Sequence, residues 1–335
     1  MSKAAKITLV VLALVVLYTA GFIMHSARLA TVSDYDSQKL IVFHAGSLAV
    51  PFKQICEEFK RRHPGVKVIR EVAGSRECAR KITDLHKPCD ILASADYAVI
   101  DTLLIPEHAD WNIRFADNEM VIAFREGSRD SGRIAMDNWY DILRRDDITF
   151  GRSDPNADPC GYRTVLTAML AEKLYEIPGL ADEILAKDRK YIRPMAADLL
   201  ALLELGELDY VFTYRSVAKQ HGLKFITLPD KINFKKAELA EFYKNASIQL
   251  TGKKRGTFIT HVGEPIVYGV TIPKDAPNGE LAAVFLAFLL DSNEGGAILE
   301  QNGQTLAVPS PTDTFEKLPE SLKVFALPMS REGEG

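Results

Sequence analysis

The sequence predicts an α/β protein built as two lobes, and three observations support this class. Segments with strand and helix patterns alternate along most of the 335 residues, which is typical of parallel sheets covered by helices. The length exceeds what a single hydrophobic core usually supports. Two such series follow one another with no internal repeat and no low-complexity linker between them. We therefore expect one lobe for each series.

The first series begins at residue 39. Residues 40–43 form a continuous apolar run, as expected for a strand buried on both faces. Apolar residues then recur at helical spacing over 52–59 and alternate as a second strand over 66–72. A helix pattern over 78–85 and a third strand over 90–93 complete the series. This order predicts a βαβαβ unit with parallel strands and right-handed crossovers.

The second series starts with an apolar strand and ends close to the C-terminus. Its predicted elements are strands at 120–124, 148–150, 210–212 and 265–270, and helices at 139–144, 162–174, 197–205, 280–290 and 294–301. We expect the chain to cross between lobes near 117–123 and to return near 260–267. Two crossings would form a hinge, with the ligand cleft between the lobes. The expected division is 38–120 plus 262–330 for lobe 1, and 121–261 for lobe 2.

Composition excludes several classes of protein. Apolar residues make up 47% of the chain and charged residues 26%, which excludes a disordered chain, a collagen and a polytopic membrane protein. The net charge is −4, and beyond residue 30 the chain has 38 basic against 45 acidic residues. We expect no nucleic-acid partner, because neutralising phosphates needs a surplus of Lys and Arg. A bound anion would be held by local geometry.

The N-terminus has the layout of an export segment. Lys3 and Lys6 precede an apolar run over 7–24, as in a secretory signal peptide or an N-terminal membrane anchor. The run is near the lower limit for spanning a membrane, and residues 25–30 offer no clear cleavage site. We expect residues 1–30 to act as signal peptide or anchor, so that the body from about 38 is periplasmic or at the cell surface.

The four cysteines are Cys56, Cys78, Cys89 and Cys160. None forms a Cys-x-x-Cys pair, so we expect no zinc site. A Cys78–Cys89 disulfide is compatible with an oxidising compartment, but we favour buried free thiols.

Two loops of the first series have the same design. His44-Ala45-Gly46-Ser47 and Ala73-Gly74-Ser75 each end a strand and open a helix. Loops at the carboxyl edge of a parallel sheet are where ligands bind, and helix starts offer unpaired N–H groups. The alternative is that Ser47 and Ser75 are only N-caps. Because the two loops occupy equivalent positions, we favour a cradle for a small anion.

A third corner, over 153–163, opens the helix of the second series. It contains Asp158, a carboxylate where an anion would rest. Asp158 could cap its own helix, or it could face a metal centre carried by the ligand itself.

Catalytic motifs are missing from the sequence. It contains no Gly-x-Ser-x-Gly elbow, no Walker A loop, no His-Glu-x-x-His and no Gly-x-Gly-x-x-Gly. A nucleophilic Ser47 would need a base, and His44 precedes it on a strand, where the two side chains need not meet. We therefore expect a binding protein without a cofactor, not an enzyme.

Longer blocks of the sequence indicate a particular family. The sequence resembles the molybdate/tungstate-binding proteins of ABC importers, in the branch typified by archaea. The resemblance covers almost everything from 39 to about 310, and its blocks are 42–48, 73–75, 93–97, 158–163, 206–210, 214–222 and 263–269. It implies the two-lobed periplasmic-binding-protein fold of type II.

The resemblance also implies a set of ligand residues. The positions that match the oxyanion site are Gly46, Ser47, Ser75, Asp158, Pro159, Cys160, Ala196 and Tyr214. Ser47, Ser75 and Tyr214 would donate hydroxyl hydrogen bonds, and backbone N–H groups would add more. In the archaeal-type relatives two carboxylates reach the metal and raise its coordination to six. Asp158 matches the first and is the possible direct ligand of tungsten or molybdenum.

This sequence departs from the relatives at the second carboxylate. The family has a Glu 18 residues before the binding Tyr, where this chain has Ala196. Asp198 lies two residues further on, and on a helix it would face away. We therefore expect a four-coordinate or at most five-coordinate oxyanion, to which Asp158 contributes less than in the relatives.

The resemblance implies the partners as well. We expect a monomer that captures tungstate or molybdate outside the membrane and delivers it to the permease and ATPase of an ABC importer. Membrane contact would come only from the N-terminal segment. A binding protein for another tetrahedral anion, such as sulfate or phosphate, is the alternative, since the same cradle would bind either.

Overall fold

Two large β-sheets, one for each lobe, and two smaller two-stranded sheets form the framework of the chain in a computed structural model that describes residues 38–329. The expected signal peptide or anchor lies outside the described residues. In chain order the strands are β1 (Lys39–Ala45), β2 (Lys67–Ala73), β3 (Ile91–Ser94), β4 (Ile113–Asp117), β5 (Met120–Phe124), β6 (Phe150–Ser153), β7 (Ile192–Arg193), β8 (Tyr210–Tyr214), β9 (Lys224–Thr227), β10 (Ser247–Thr251), β11 (Phe258–Val262), β12 (Val267–Thr271), β13 (Thr305–Leu306), β14 (Ser310–Thr312) and β15 (Ala326–Pro328).

Helices cover these sheets. Those of five or more residues in α geometry are α1 (Ala49–Arg62), α2 (Ser75–Thr83), α3 (Trp139–Arg144), α4 (Pro159–Tyr175), α5 (Leu180–Lys187), α6 (Leu200–Glu204), α7 (Arg215–Gln220), α8 (Gly279–Leu290) and α9 (Gly295–Gln301). Ile100–Leu104 is a π-helical turn. Shorter or tighter turns are Gly46–Leu48, Tyr97–Val99, Asp188–Tyr191, Ala196–Leu199, Asp230–Asn233, Ala237–Leu239, Ala240–Tyr243, Phe315–Lys317 and Glu320–Phe325.

The first sheet has the strand order β13-β4-β12-β3-β1-β2. β1 pairs in parallel with both β2 and β3, as the βαβαβ pattern predicted. β12 runs antiparallel to β3 and β4, because it belongs to the part of the chain that returns from the second lobe. The carboxyl ends of β1, β2 and β3 therefore lie at one edge of this sheet.

The second sheet has the strand order β7-β6-β8-β5-β9. Its predicted strand at 148–150 is displaced to Phe150–Ser153, because the Thr149 N–H donates to the Asp209 carboxylate (2.8 Å) and the ladder with β8 starts one residue later. The predicted helix at 197–205 is also divided, into the turn Ala196–Leu199 and α6. β4, α5 and the β10–β11 hairpin were not among the predicted elements.

Two short crossings join the sheets. The first lies between β4, which ends at Asp117, and β5, which begins at Met120; the second lies between β11 and β12. The expected lobe boundary after residue 120 therefore falls at the first residue of β5. Asn118 in the first crossing donates to Ser216 Oγ (2.8 Å) and Tyr268 Oη (3.0 Å), so the crossing is bonded to both lobes.

All four cysteines are buried free thiols. The Cys78 thiol donates to the His44 carbonyl (3.7 Å) and the Cys89 thiol to the Ile91 carbonyl (3.1 Å). The preference for thiols over a Cys78–Cys89 disulfide is confirmed.

Within residues 38–329, no single helix has the length and apolar composition needed to cross a membrane. α8 and α9 satisfy that test only together, and they are bent by 50° at the break between them.

Candidate anion-binding site

The first Gly-Ser corner lies at the end of β1, and its serine does not cap a helix. Ser47 is the middle residue of the turn Gly46–Leu48, whose N-cap position is Ala45. The Ser47 Oγ accepts a hydrogen bond from the Tyr268 hydroxyl (2.8 Å), which in turn accepts one from the Asn118 amide. A hydroxyl that accepts a bond in this way keeps its own hydrogen available as a donor.

The second corner, at the end of β2, repeats this arrangement with different partners. Ser75 is the first residue of α2, whose N-cap is Gly74, and its side chain is fully buried. The Ser75 Oγ accepts from the Ala95 N–H (2.9 Å). The Ser75 N–H belongs to the first helical turn and so has no carbonyl within its own helix. The alternative interpretation, that both serines are only N-caps, is therefore wrong.

The lobes meet directly beside the second corner. The N–H groups of Arg76 and Glu77 donate to the Ala157 carbonyl of lobe 2 (3.1 and 3.2 Å). A Cβ placed on Gly74 would lie 2.3 Å from that carbonyl oxygen. Only glycine allows this approach, so Gly74 permits the contact between the lobes.

Asp158 in lobe 2 caps its own helix. It is the N-cap of α4, and its Oδ1 accepts from the Cys160 N–H (3.2 Å), while Oδ2 accepts from the Ala196 N–H (3.1 Å). Burial raises the pKa of Asp158, whereas the N–H donors oppose that shift. Of the roles considered for Asp158, the structure shows the cap. Pro159 occupies the first helical turn, and the N–H and thiol of Cys160 are both engaged in hydrogen bonds.

Tyr214 ends β8 and is buried. Its hydroxyl oxygen accepts from Arg163 Nη1 (2.8 Å), which leaves the hydroxyl hydrogen as a donor. Burial raises the pKa of Tyr214 well above its usual range, so the phenol stays protonated.

Ala196 lies next to the Asp158 carboxylate, which accepts its N–H. Its side chain is buried, and the turn that contains it faces Gly46 of lobe 1: a Cβ on Gly46 would be 3.3 Å from Met195 Sδ and 3.9 Å from Ala197 Cβ. The Asp198 carboxylate accepts from the Met195 N–H (3.0 Å), within its own turn.

The structure thus divides the predicted residues between the two lobes. Ser47 and Ser75 stand on lobe 1, Asp158 and Tyr214 on lobe 2, and Gly46 opposite the turn of Ala196. Three hydroxyls in this set each accept a hydrogen bond from the protein, so each can donate to a ligand. Such a site favours a ligand that offers only acceptors.

Three residues that had no predicted role support these hydroxyls, and all three belong to the blocks that carry the resemblance. Tyr268 donates to Ser47, Arg163 donates to Tyr214, and Asp96 pairs with Arg163. Side-chain orientation depends on long-range contacts that no local pattern encodes, so only the motif membership could have indicated them.

One group of side chains in the described residues has the geometry of a metal site. Ligand atoms of Asp96, His261 and Glu264 all lie within 4.8 Å of one another. However, Asp96 Oδ2 is already occupied by the Tyr162 hydroxyl and by Arg163 Nη2. A cation here would face a guanidinium, so these residues are poorly suited to hold one.

His44 does not serve as a base for Ser47. Its Nδ1 is 2.9 Å from the Ala45 carbonyl, and burial lowers the pKa of His44 to about 4. Two lobes joined by two crossings, with hydroxyl donors on both lobes, are typical of solute-binding proteins.

Comparison with known proteins agrees with this class. The family model of the bacterial extracellular solute-binding proteins matches residues 40–305, and the chain belongs to that family. An uncharacterized solute-binding protein of Petrotoga mobilis is 49% identical over 86% of this chain and 89% of its own length.

The resemblance drawn from the sequence is confirmed by two relatives whose names state their ligand. The molybdate/tungstate-binding protein WtpA of Pyrococcus abyssi is 44% identical over 88% of this chain and 91% of its own length. That of Thermococcus kodakarensis is 42% identical over 96% of each. The periplasmic molybdate-binding protein of Azotobacter vinelandii has the same fold, with a TM-score of 0.59 at 17% identity over 80% of this chain and 99% of that one.

Proposed function

We propose that this protein captures tungstate or molybdate in the cleft between its lobes and delivers the anion to an ABC importer. The observation that carries the proposal is the donor character of Ser47, Ser75 and Tyr214. Fully deprotonated tetrahedral dianions offer only acceptors, which matches three hydroxyls that already accept from the protein. The names of the relatives from Pyrococcus and Thermococcus support the choice of anion.

Delivery would follow closure of the lobes. In this proposal 38–120 with 262–330 and 121–261 move as the two lobes about the crossings, and the permease recognises the closed, loaded form. The protein would act as a monomer outside the cytoplasmic membrane.

The apolar run over 7–24 would be an uncleaved anchor. The intact mass of the membrane-associated protein tests this proposal, and a mature chain that starts between about 26 and 38 would contradict it.

Calorimetric titration of the purified chain with tungstate, molybdate and sulfate tests the choice of anion. We expect tungstate and molybdate to bind more tightly than sulfate, because their metal–oxygen bonds are longer and sulfate would fit the same cradle loosely. Equal or tighter binding of sulfate would contradict the assignment.

We further propose that the bound oxyanion is four-coordinate, or at most five-coordinate. Both oxygens of Asp158 accept N–H bonds, and Ala196 supplies no second carboxylate. X-ray absorption of the tungstate complex should therefore show about four short oxygen neighbours. Six neighbours, two of them long, would overturn this proposal.

The variant Ala196→Glu sharpens the coordination test. It restores the carboxylate of the relatives next to Asp158, so the spectrum should move towards six-coordination. Ala201→Glu, at an exposed position of α6, is the control, and its spectrum should stay as in the wild type. An unchanged spectrum for Ala196→Glu would show that residue 196 does not reach the anion.

A further inference from the structure

A fully buried ion pair joins the two lobes behind the anion-binding residues. Asp96 follows β3 in lobe 1, and Arg163 lies in α4 of lobe 2. Arg163 Nη2 is 2.9 Å from Asp96 Oδ2, an ion pair without the geometry of a hydrogen bond, and the side chains are 1% and 0% exposed. Burial alone would lower the pKa of Arg163, but the neighbouring carboxylate dominates and raises it, so the guanidinium stays charged.

The remaining contacts of Arg163 lead to the proposed ligand hydroxyls in both lobes. Its Nη1 donates to Tyr214 Oη (2.8 Å) in lobe 2 and to the Ala95 carbonyl (2.9 Å) in lobe 1. The N–H of Ala95 donates in turn to Ser75 Oγ (2.9 Å). One guanidinium thus orients Tyr214 directly and holds the residue whose N–H orients Ser75.

These contacts exist together only when the lobes are closed. A buried ion pair is favourable only where both partners are present and well aligned, since each charge is strongly disfavoured when buried alone. In an open cleft the two charges would be separated and hydrated. Alignment of the pair is therefore tied both to closure and to the positions of two donors.

We propose that Arg163 and Asp96 form a positioning pair that couples lobe closure to orientation of the Tyr214 and Ser75 hydroxyls. The identity of the ligand in this inference rests on the proposed function, whereas the predicted effect of the pair on lobe closure is independent of it. Neither residue needs to contact the anion. The pair adds a requirement that the cleft close fully before all the donors are in place.

The interlobe distance reports on closure independently of affinity. Spin labels on Leu85→Cys in lobe 1 and Leu205→Cys in lobe 2 suit this measurement, because both positions are exposed (64% and 77%) and the four native cysteines are buried. Distance distributions are recorded by pulsed dipolar spectroscopy in the full-length protein, with and without tungstate. Calorimetry gives the Kd of the same proteins.

The variants separate the charges from the hydrogen bonds. Asp96→Asn leaves the Arg163 charge unpaired, so the closed fraction should fall with and without tungstate, and Kd should rise at least tenfold. Arg163→Lys keeps a charge for Asp96 but cannot also bond Ala95 and Tyr214, so Kd should rise while tungstate still closes the lobes. The double variant Asp96→Asn with Arg163→Gln removes both charges and should close more completely than Asp96→Asn alone.

An ion pair within lobe 2 provides the matched control. Arg129 Nη2 is 2.9 Å from Asp209 Oδ2, whose side chain is 5% exposed. Asp209→Asn should lower the melting temperature and leave the interlobe distances unchanged.

The inference is overturned if Asp96→Asn closes like the wild type, or if the Kd of Arg163→Lys stays within twofold of the wild-type value. Failure of the proposed function looks different: the wild type would bind neither tungstate nor molybdate. In that case the ligand-free distances still test the pair, since Asp96→Asn should be more open than the wild type.

Discussion

The strand-loop-helix corners of the two lobes look alike in sequence but present different chemistry to the cleft. In lobe 1 the N-cap positions before Ser47 and Ser75 are Ala45 and Gly74, which have no capping side chain. In lobe 2 the corresponding position is Asp158, and its carboxylate takes the Cys160 N–H. Lobe 1 therefore offers a hydroxyl donor at each corner, whereas lobe 2 has a carboxylate at the equivalent place.

A helix N-terminus alone therefore does not make an anion site. In both lobes N–H groups of the first helical turn already bond to the protein, to the Ala157 carbonyl in lobe 1 and to the Asp158 carboxylate in lobe 2. Lobe 2 compensates with Tyr214, a hydroxyl from the end of a strand.

Removing a serine in lobe 1 should have the largest effect on affinity. Ser75→Ala and Ser47→Ala should each weaken tungstate binding by roughly 1.5–3 kcal/mol, the range for hydrogen bonds to a charged partner. That corresponds to about 10- to 150-fold in Kd. Ser310→Ala is the control, a buried serine bonded to the Arg114 carbonyl, and should bind as the wild type does. Unchanged affinity in both cleft variants would show that lobe 1 does not supply the donors.

The carboxylate of Glu264, on the crossing between the lobes, should affect the free energy of unfolding and its dependence on pH. Burial raises the pKa of Glu264 to about 7, although the Tyr97 hydroxyl donates to it (2.6 Å). The folded state therefore holds a proton more tightly than the unfolded one, so stability falls as pH rises from about 4.5 to 7.

Glu264→Gln cannot ionise and should lack this loss. Its free energy of unfolding relative to wild type should increase by about 1–3 kcal/mol between pH 4 and pH 8. Denaturant titrations at several pH values measure the difference. Parallel pH profiles for the two proteins would contradict the raised pKa.

Removing the charge of Asp158 should have the smallest effect on affinity. Asn is also a good N-cap, so Asp158→Asn should fold and keep the α4 terminus. If Asp158 does not ligate the metal, Kd should change by less than about tenfold at pH 7. A loss much larger than this would mean that lobe 2 contributes a metal ligand after all.

The pH dependence of tungstate binding provides a second test of the role of Asp158. The pKa of Asp158 is raised by burial, and a nearby dianion would raise it further, so wild-type binding should take up a proton and tighten as the pH falls. Asp158→Asn should show a weaker slope in calorimetric titrations. Equal slopes would indicate that another group takes up the proton.

The sequence by itself determined the class of this protein. The apolar run at 40–43 and the alternation that follows it are local patterns, and local patterns predict strands, helices and their order. The Gly-Ser corners were located correctly because a parallel βαβ unit brings successive loops to the same edge of its sheet. The resemblance, carried by long blocks such as 158–163 and 214–222, added the family and the position of Ala196 beside Asp158.

Only the tertiary structure decided how these groups are used. That Ser75 accepts from Ala95 and is not a cap, that Asp158 closes its own helix, and that Arg163 bonds both lobes all depend on residues distant in sequence. β6 begins later than the sequence predicted for the same reason, because the Asp209 carboxylate, 60 residues away in sequence, accepts the Thr149 N–H. Each polar group has several potential hydrogen-bond partners, and the partner that it bonds depends on which of them the folded chain brings within reach.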